Sequence, residues 1–170
     1  MNFITKQEKA SFKLLPQRQW LDPDGNVYKE KDILKILKNY SEMGGIIFVG
    51  TDSMLNTSHC TFSSAIALHD PEIKIARYFY KKNKLAPKIY KELRIKIFKE
   101  VELSITVSNF IKENIPNANI ELHVDVGTDI RCATNKFVDA LRGWVIGSGY
   151  IFKSKPFAWA ASSVADWHTK

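Results

Sequence analysis

Little in this chain points to an oxidised or membrane-embedded protein. Only two cysteines occur, Cys60 and Cys132, in neither a CxxC nor a Cys/His ligand spacing, which excludes a disulfide framework and a zinc ribbon. No secretory h-region is read near the first residue, so reduced thiols and a cytoplasmic location are expected. No apolar run approaches the roughly 18–20 residues that span a bilayer. The longest are strand-sized, such as residues 45–50. A GxxxxGK[ST] phosphate loop, a GxGxxG after a strand and a GxSxG elbow are all missing, which removes P-loop hydrolysis, dinucleotide binding and the common serine-hydrolase site. Internal repeats and low-complexity stretches are missing too.

What is present is a globular composition. The 170 residues are 45% hydrophobic and 25% charged, enough for a single domain with a sizeable core. Lys and Arg number 25 against 18 Asp and Glu, a formal net charge of +7, and such a field attracts polyanions such as nucleic acid. Solvated surface lysines explain the same excess without any function.

Residues 1–43 read as an N-terminal extension. They hold Pro16, Trp20 and the turn Asp22-Pro23-Asp24-Gly25-Asn26, an irregular leader or short hairpin, then an amphipathic helix over 31–43 stopped by Gly44-Gly45. Residues 44–170 form the main domain. Strands are expected over 46–52, 60–69 and 73–82, with a turn at Asp70-Pro71 between the last two, and short connections make them an antiparallel meander. Pro87 opens one long helix over 88–114. The alternation of Ile120, Leu122, Val124 and Val126 predicts a strand over 120–126. A helix over 136–146, a strand over 150–153 and a helix over 158–168 complete the order β-β-β-α-β-α-β-α, a mixed sheet whose later strands join through crossovers.

Asp52 ends the apolar run Phe48-Val49-Gly50-Thr51, and Asp125 holds the matching place in His123-Val124-Asp125-Val126-Gly127. A turn-forming aspartate is the bland reading of either. Together, on neighbouring strands, they put two hard oxygen ligands in one cleft. On the long helix Glu100 shares a face with Ile97, Ser104 and Val107, whereas Glu92 and Glu102 lie among Arg94 and Lys99 as on a solvated face. Asp166 sits on a short terminal helix of small residues, near His168 and Lys170. Oxygen-only ligands suit Mg²⁺ or Mn²⁺ over zinc or copper.

The segments Gly50-Thr51-Asp52-Ser53, His123-Val124-Asp125-Val126-Gly127 and Ala160-Ala161-Ser162-Ser163-Val164-Ala165-Asp166-Trp167-His168-Thr169-Lys170 resemble, in that order, a bacterial and phage family of RNase H-like nucleases. The resemblance covers about residues 45–170. It implies an α/β fold with a five-stranded mixed sheet in order 3-2-1-4-5, and carboxylates on the first strand, first long helix, fourth strand and final helix. Asp52, Asp125 and Asp166 match motif positions. Glu100 is carried over by its helix position and by Ser104 after it.

The expected activity is two-metal hydrolysis of phosphodiester bonds, favouring the RNA of RNA/DNA hybrids, with the four carboxylates holding the ions. Lys81, Lys82, Lys84, Lys88, Arg131 and Lys170 are candidates for the nucleic-acid backbone, and His168 for a proton shuttle. Trp159 and Trp167 are expected in the core rather than stacked on bases. The rivals are a structure-specific DNA nuclease, a non-catalytic nucleic-acid-binding module and an accessory protein acting through protein contacts. Oligomeric state is not readable.

Overall fold

The structure, a computed structural model, describes residues 19–69, 76–127, 129 and 131–169. The leader before residue 19, the turn at Asp70-Pro71 and the expected strand start at Ile73 lie outside them.

A hairpin comes first: β1 (Gln19–Leu21) and β2 (Val27–Lys29) pair antiparallel. Its turn is organised by one side chain, because Asp22 accepts hydrogen bonds from the backbone N–H groups of Asp24 and Asn26, the Asn26 amide and the Tyr28 hydroxyl. Helix α1 (Glu30–Glu42) follows, buries Ile33 and Leu37 one turn apart, and stops where Gly44 takes φ 82°, a conformation glycine adopts without penalty.

Three ten-residue strands form the centre: β3 (Ile46–Leu55), β4 (Cys60–His69) and β5 (Ala76–Leu85). β4 is buried along nearly its whole length, as a strand covered on both faces must be. A 3₁₀ turn at Ile89–Lys91 leads to α2 (Leu93–Asn114). The expected single helix over 88–114 is therefore interrupted, because Glu92 is extended (φ −80°, ψ 119°). β6 (Asn119–His123), α3 (Val138–Gly147) and β7 (Ile151–Lys153) complete the alternation. β6 ends two residues before Asp125, shorter than expected: Val124 N–H still donates to the Lys153 carbonyl of β7 (2.9 Å), but the Val126 N–H turns back to the Val124 carbonyl (2.8 Å). The last element is a π-helix, Ala160–Ala165.

The sheet has seven strands rather than five, in order β2-β1-β5-β4-β3-β6-β7. The expected 3-2-1-4-5 core is present as β5-β4-β3-β6-β7, and the hairpin extends its edge through Leu21 against Tyr80. β3 is the junction, antiparallel to β4 and parallel to β6. The core joins Ile47, Val49, Ile66 and Phe79 of the sheet to Ile33 and Leu37 of α1 and to Val101 and Ile111 of α2. Among the described residues no helix is long and apolar enough to cross a membrane.

Candidate active site

The β3–β6 ladder ends with Gly50 opposite His123. Two residues further along each chain stand Asp52 and Asp125. Asp125 sits in a tight turn closed by the Val126 N–H donating to the Val124 carbonyl (2.8 Å), close enough for its charge to act on Asp52. Asp52 shares the face of Gly50 by strand alternation. That face receives the π-helix. Gly50 makes this possible: a Cβ there would lie 2.7 Å from the Ala161 nitrogen and 2.9 Å from its Cα. His123, 1% exposed, accepts the Ala160 N–H on Nδ1 (3.0 Å) and lies 3.0 Å from Glu121 through Nε2. An acceptor at Nδ1 puts the proton on Nε2, and burial lowers the ring's pKa against the raising effect of Glu121. A neutral imidazole thus satisfies an orphan N–H at the start of the helix that ends in Asp166.

Thr51 and Ser53 point to the other face, toward α2. Ser104 Oγ donates to Thr51 Oγ1 (2.9 Å), and Ser53 Oγ donates to Glu100 Oε1 (2.5 Å). Glu100 is 4% exposed and faces the sheet, whereas Glu92 and Glu102 lie in solvent, paired to Arg94 and Lys99. The acidic side chains therefore straddle the sheet where β3 and β6 part, at the change from antiparallel to parallel pairing, the place where ligand sites of open α/β sheets gather.

Burial first, then repulsion from Asp125 and Asp166, push the Asp52 carboxyl up to about 6, against a lowering hydrogen bond from the Ser53 N–H. Burial, then Asp52, push Glu100 up to about 8. Two ammonium groups answer this charge. Lys96 Nζ donates to the Ser53 carbonyl (3.2 Å) and stands 3.8 Å from Glu100 Oε1. Lys155 Nζ stands 2.8 Å from Asp125 Oδ1 and this pairing raises the lysine's pKa; the ammonium is the counter-charge to a buried oxygen with no other hydrogen-bond partner among the described residues. Ser63, directly across β4 from Asp52, likewise has a buried hydroxyl with no partner among the described residues. Ser63, Lys96 and Lys155 escaped sequence reasoning, and Ser53 and His123 entered it only as neighbours of the aspartates in segments 50–53 and 123–127, with no role assigned.

The remaining candidates are dispersed. His168, expected at an exposed end, is half-buried: its ring stacks on Tyr80 (3.5 Å, 8°) and its Nε2 lies 3.2 Å from the Tyr78 hydroxyl. Lys170 is outside the described residues. Lys81 is no surface lysine, since its Nζ sits 4.9 Å over the Trp20 ring and burial lowers its pKa. Lys82 lies 6.0 Å over Tyr80, Lys84 and Lys88 are exposed, and Arg131 is paired to Asp129 at 2.6 Å. Trp159 packs on Phe48, His69 and His123. Trp167, expected in the core, is 76% exposed.

A divalent cation fits the chemistry of this donor set. The ligands are hard oxygens, Asp52 and Glu100 repel one another, and a buried Asp125 oxygen has no partner but the Lys155 ammonium among the described residues. The side chains are not preassembled, however: among the described residues no three His, Cys, Asp or Glu side chains are gathered closely enough to hold an ion.

Fold and site together define a mixed α/β protein with acidic residues near the ends of two parallel strands packed against helices. The chain belongs to the ribonuclease H-like family, whose model matches residues 29–170. No curated protein and no solved structure gives a significant match to it. Membership suggests a nuclease-type or nucleic-acid-related function.

Proposed function

We propose that the chain is a metal-dependent nuclease hydrolysing phosphodiester bonds, with the RNA of RNA/DNA hybrids as its favoured substrate. The observation that supports this most is the placement of Asp52 and Asp125 side by side past the last β3–β6 pair, with buried Glu100 beneath. Asp52, Glu100, Asp125 and Asp166 would hold Mg²⁺ or Mn²⁺, two ions in all. Such ions, when bound, polarise the scissile phosphate and acidify a coordinated water.

The chain's own residues do the positioning. Ser53 fixes the Glu100 carboxyl, and Gly50 and His123 seat the helix that presents Asp166. Lys96 and Lys155 offset the carboxylate charge, Lys96 beside Glu100 and Lys155 beside Asp125, positions that bound cations would take over. The net charge of +7 draws the polyanionic substrate.

Trp167 favours a second reading, a structure-specific DNA nuclease, because an indole 76% exposed next to Asp166 offers a stacking surface to unpaired bases. Cleavage of labelled hybrid, single-stranded and branched substrates with Mg²⁺ and Mn²⁺ tests both. Loss in Asp52→Asn and Asp125→Asn is expected. Activity retained in both variants rejects the site, and binding without cleavage by the wild type leaves a non-catalytic nucleic-acid-binding module.

A further inference from the structure

The outer side of α2 borders an open groove of about 350 Å³. Tyr90, Phe98 and Trp144 supply its aromatic lining, and Arg94, Lys99 and Glu102 its charged lining. Phe98 and Trp144 lie near parallel, 25° apart with centroids at 6.0 Å, and Trp144 remains 37% exposed, so part of an indole face stays open to solvent. The volume is at the low end of the roughly 300–1,000 Å³ of small-ligand pockets, room for a nucleobase rather than for a partner's helix.

Charge argues for the same occupant. Lys88 and Lys91 flank the groove on the turn that carries Tyr90, adding to Arg94 and Lys99. The acids opposing these last two make solvent-exposed pairs, Arg94 with Glu92 at 3.2 Å and Lys99 with Glu102 at 2.8 Å. Such pairs contribute little in water and exchange readily for a phosphate, which binds a guanidinium as well as a carboxylate does. An aromatic face beside exchangeable cations is the chemistry that holds single strands.

The groove and the carboxylates share one helix. Arg94 precedes Glu100 by six residues, about 9 Å along the axis at 1.5 Å each and about 240° around it, so a strand running from the carboxylates to the groove must round the helix. We infer that the groove takes one unstacked nucleobase of the substrate strand several nucleotides from the cut, the base against Trp144 and its phosphates on Arg94 and Lys99. The inference rests on the nuclease reading for its position and names a substrate class: nucleic acid with an unpaired segment flanking the scissile bond.

The test is binding of labelled single-stranded DNA and of blunt RNA/DNA hybrid to the full chain in EDTA, with cleavage measured separately in Mg²⁺. Trp144→Ala should weaken single-strand binding about 5- to 150-fold, the worth of one stacked base, and the blunt hybrid far less. Arg94→Glu, a change at an exposed side chain, should weaken it without altering thermal unfolding and should flatten the salt dependence. Wild-type affinity in both variants, or no binding of either probe by the wild type, overturns the groove. If Asp52→Asn abolishes cleavage while the groove variants bind normally, the nuclease reading stands alone. If Asp52→Asn cleaves normally while the groove variants lose affinity, only the groove survives.

Discussion

His123 Nδ1 accepts the backbone N–H of Ala160 at 3.0 Å, so a buried imidazole on β6 caps the helix leading to Asp166. Protonation destroys that acceptor. Because burial lowers the folded-state pKa below the ordinary 6.5, the unfolded chain binds the proton first, and stability present above about pH 6.5 is lost as pH falls toward the depressed value. Urea unfolding from pH 7.5 down to about 5 should show the decline. His123→Asn, which keeps an acceptor near Nδ1, should flatten it, and His123→Ala should cost about 1–3 kcal/mol at about pH 7.5 by stranding the N–H, a difference that shrinks as the wild-type imidazole is itself protonated.

The acidic pair runs in the opposite direction. Asp52 is raised from 3.8 to about 6 and Glu100 from 4.5 to about 8, so the folded protein holds protons that the unfolded chain has released. Its stability is therefore greatest below the unfolded values and falls as pH rises from about 4 to 8. Without metal at pH 8, Glu100→Gln should be more stable than wild type by on the order of 1 kcal/mol or more, since the amide oxygen still accepts from Ser53. Thermal unfolding with chelator decides it, and a destabilised variant would contradict the assigned burial cost.

Gly50→Ala should displace the C-terminal helix. The added Cβ meets the Ala161 backbone at 2.7–2.9 Å, backbone that has no rotamer to escape into, so a loss of about 1–3 kcal/mol is expected. Ala161→Gly removes the Cβ but not the nitrogen, so it should rescue only partly. A drop in Mn²⁺ affinity larger than the drop in stability predicts would mark displaced Asp166. Unchanged unfolding would mean that the helix approaches less closely than 3 Å.

Lys155→Met removes the ammonium 2.8 Å from Asp125. The metal-free protein should melt lower, because the carboxylate loses its counter-charge, and Mn²⁺ should bind more tightly and stabilise more, because no internal cation competes. Calorimetric titration separates this from a simple structural role, in which affinity would fall along with stability.

The chain showed its frame more readily than its joints. Asp52 and Asp125 were visible because an apolar strand ending in a carboxylate is a local pattern, and Glu100 because helical spacing put it with Ile97 and Ser104. The first hairpin was legible only as one of two options, from its turn at residues 22–26, since its three-residue strands β1 and β2 have no measurable period and β1 is held by docking on β5. Lys96 and Lys155 were hidden because a lysine reads as solvated until the fold shows what its ammonium reaches. Trp167 misled for the reverse reason: its apolar ring argues for burial, and only the helix face shows that it is left in water.

The π-helical turns at Ala160–Ala165 amount to one surplus residue in a helix. The i→i+5 winding takes up that residue locally, so deleting a single serine from Ser162-Ser163 would let the segment relax to ordinary turns of about 100° per residue while everything after it stays in phase. The winding defect is slack that shields the aspartate following it: one codon lost in frame here would leave both the fold and the approach of Asp166 to Asp52 standing.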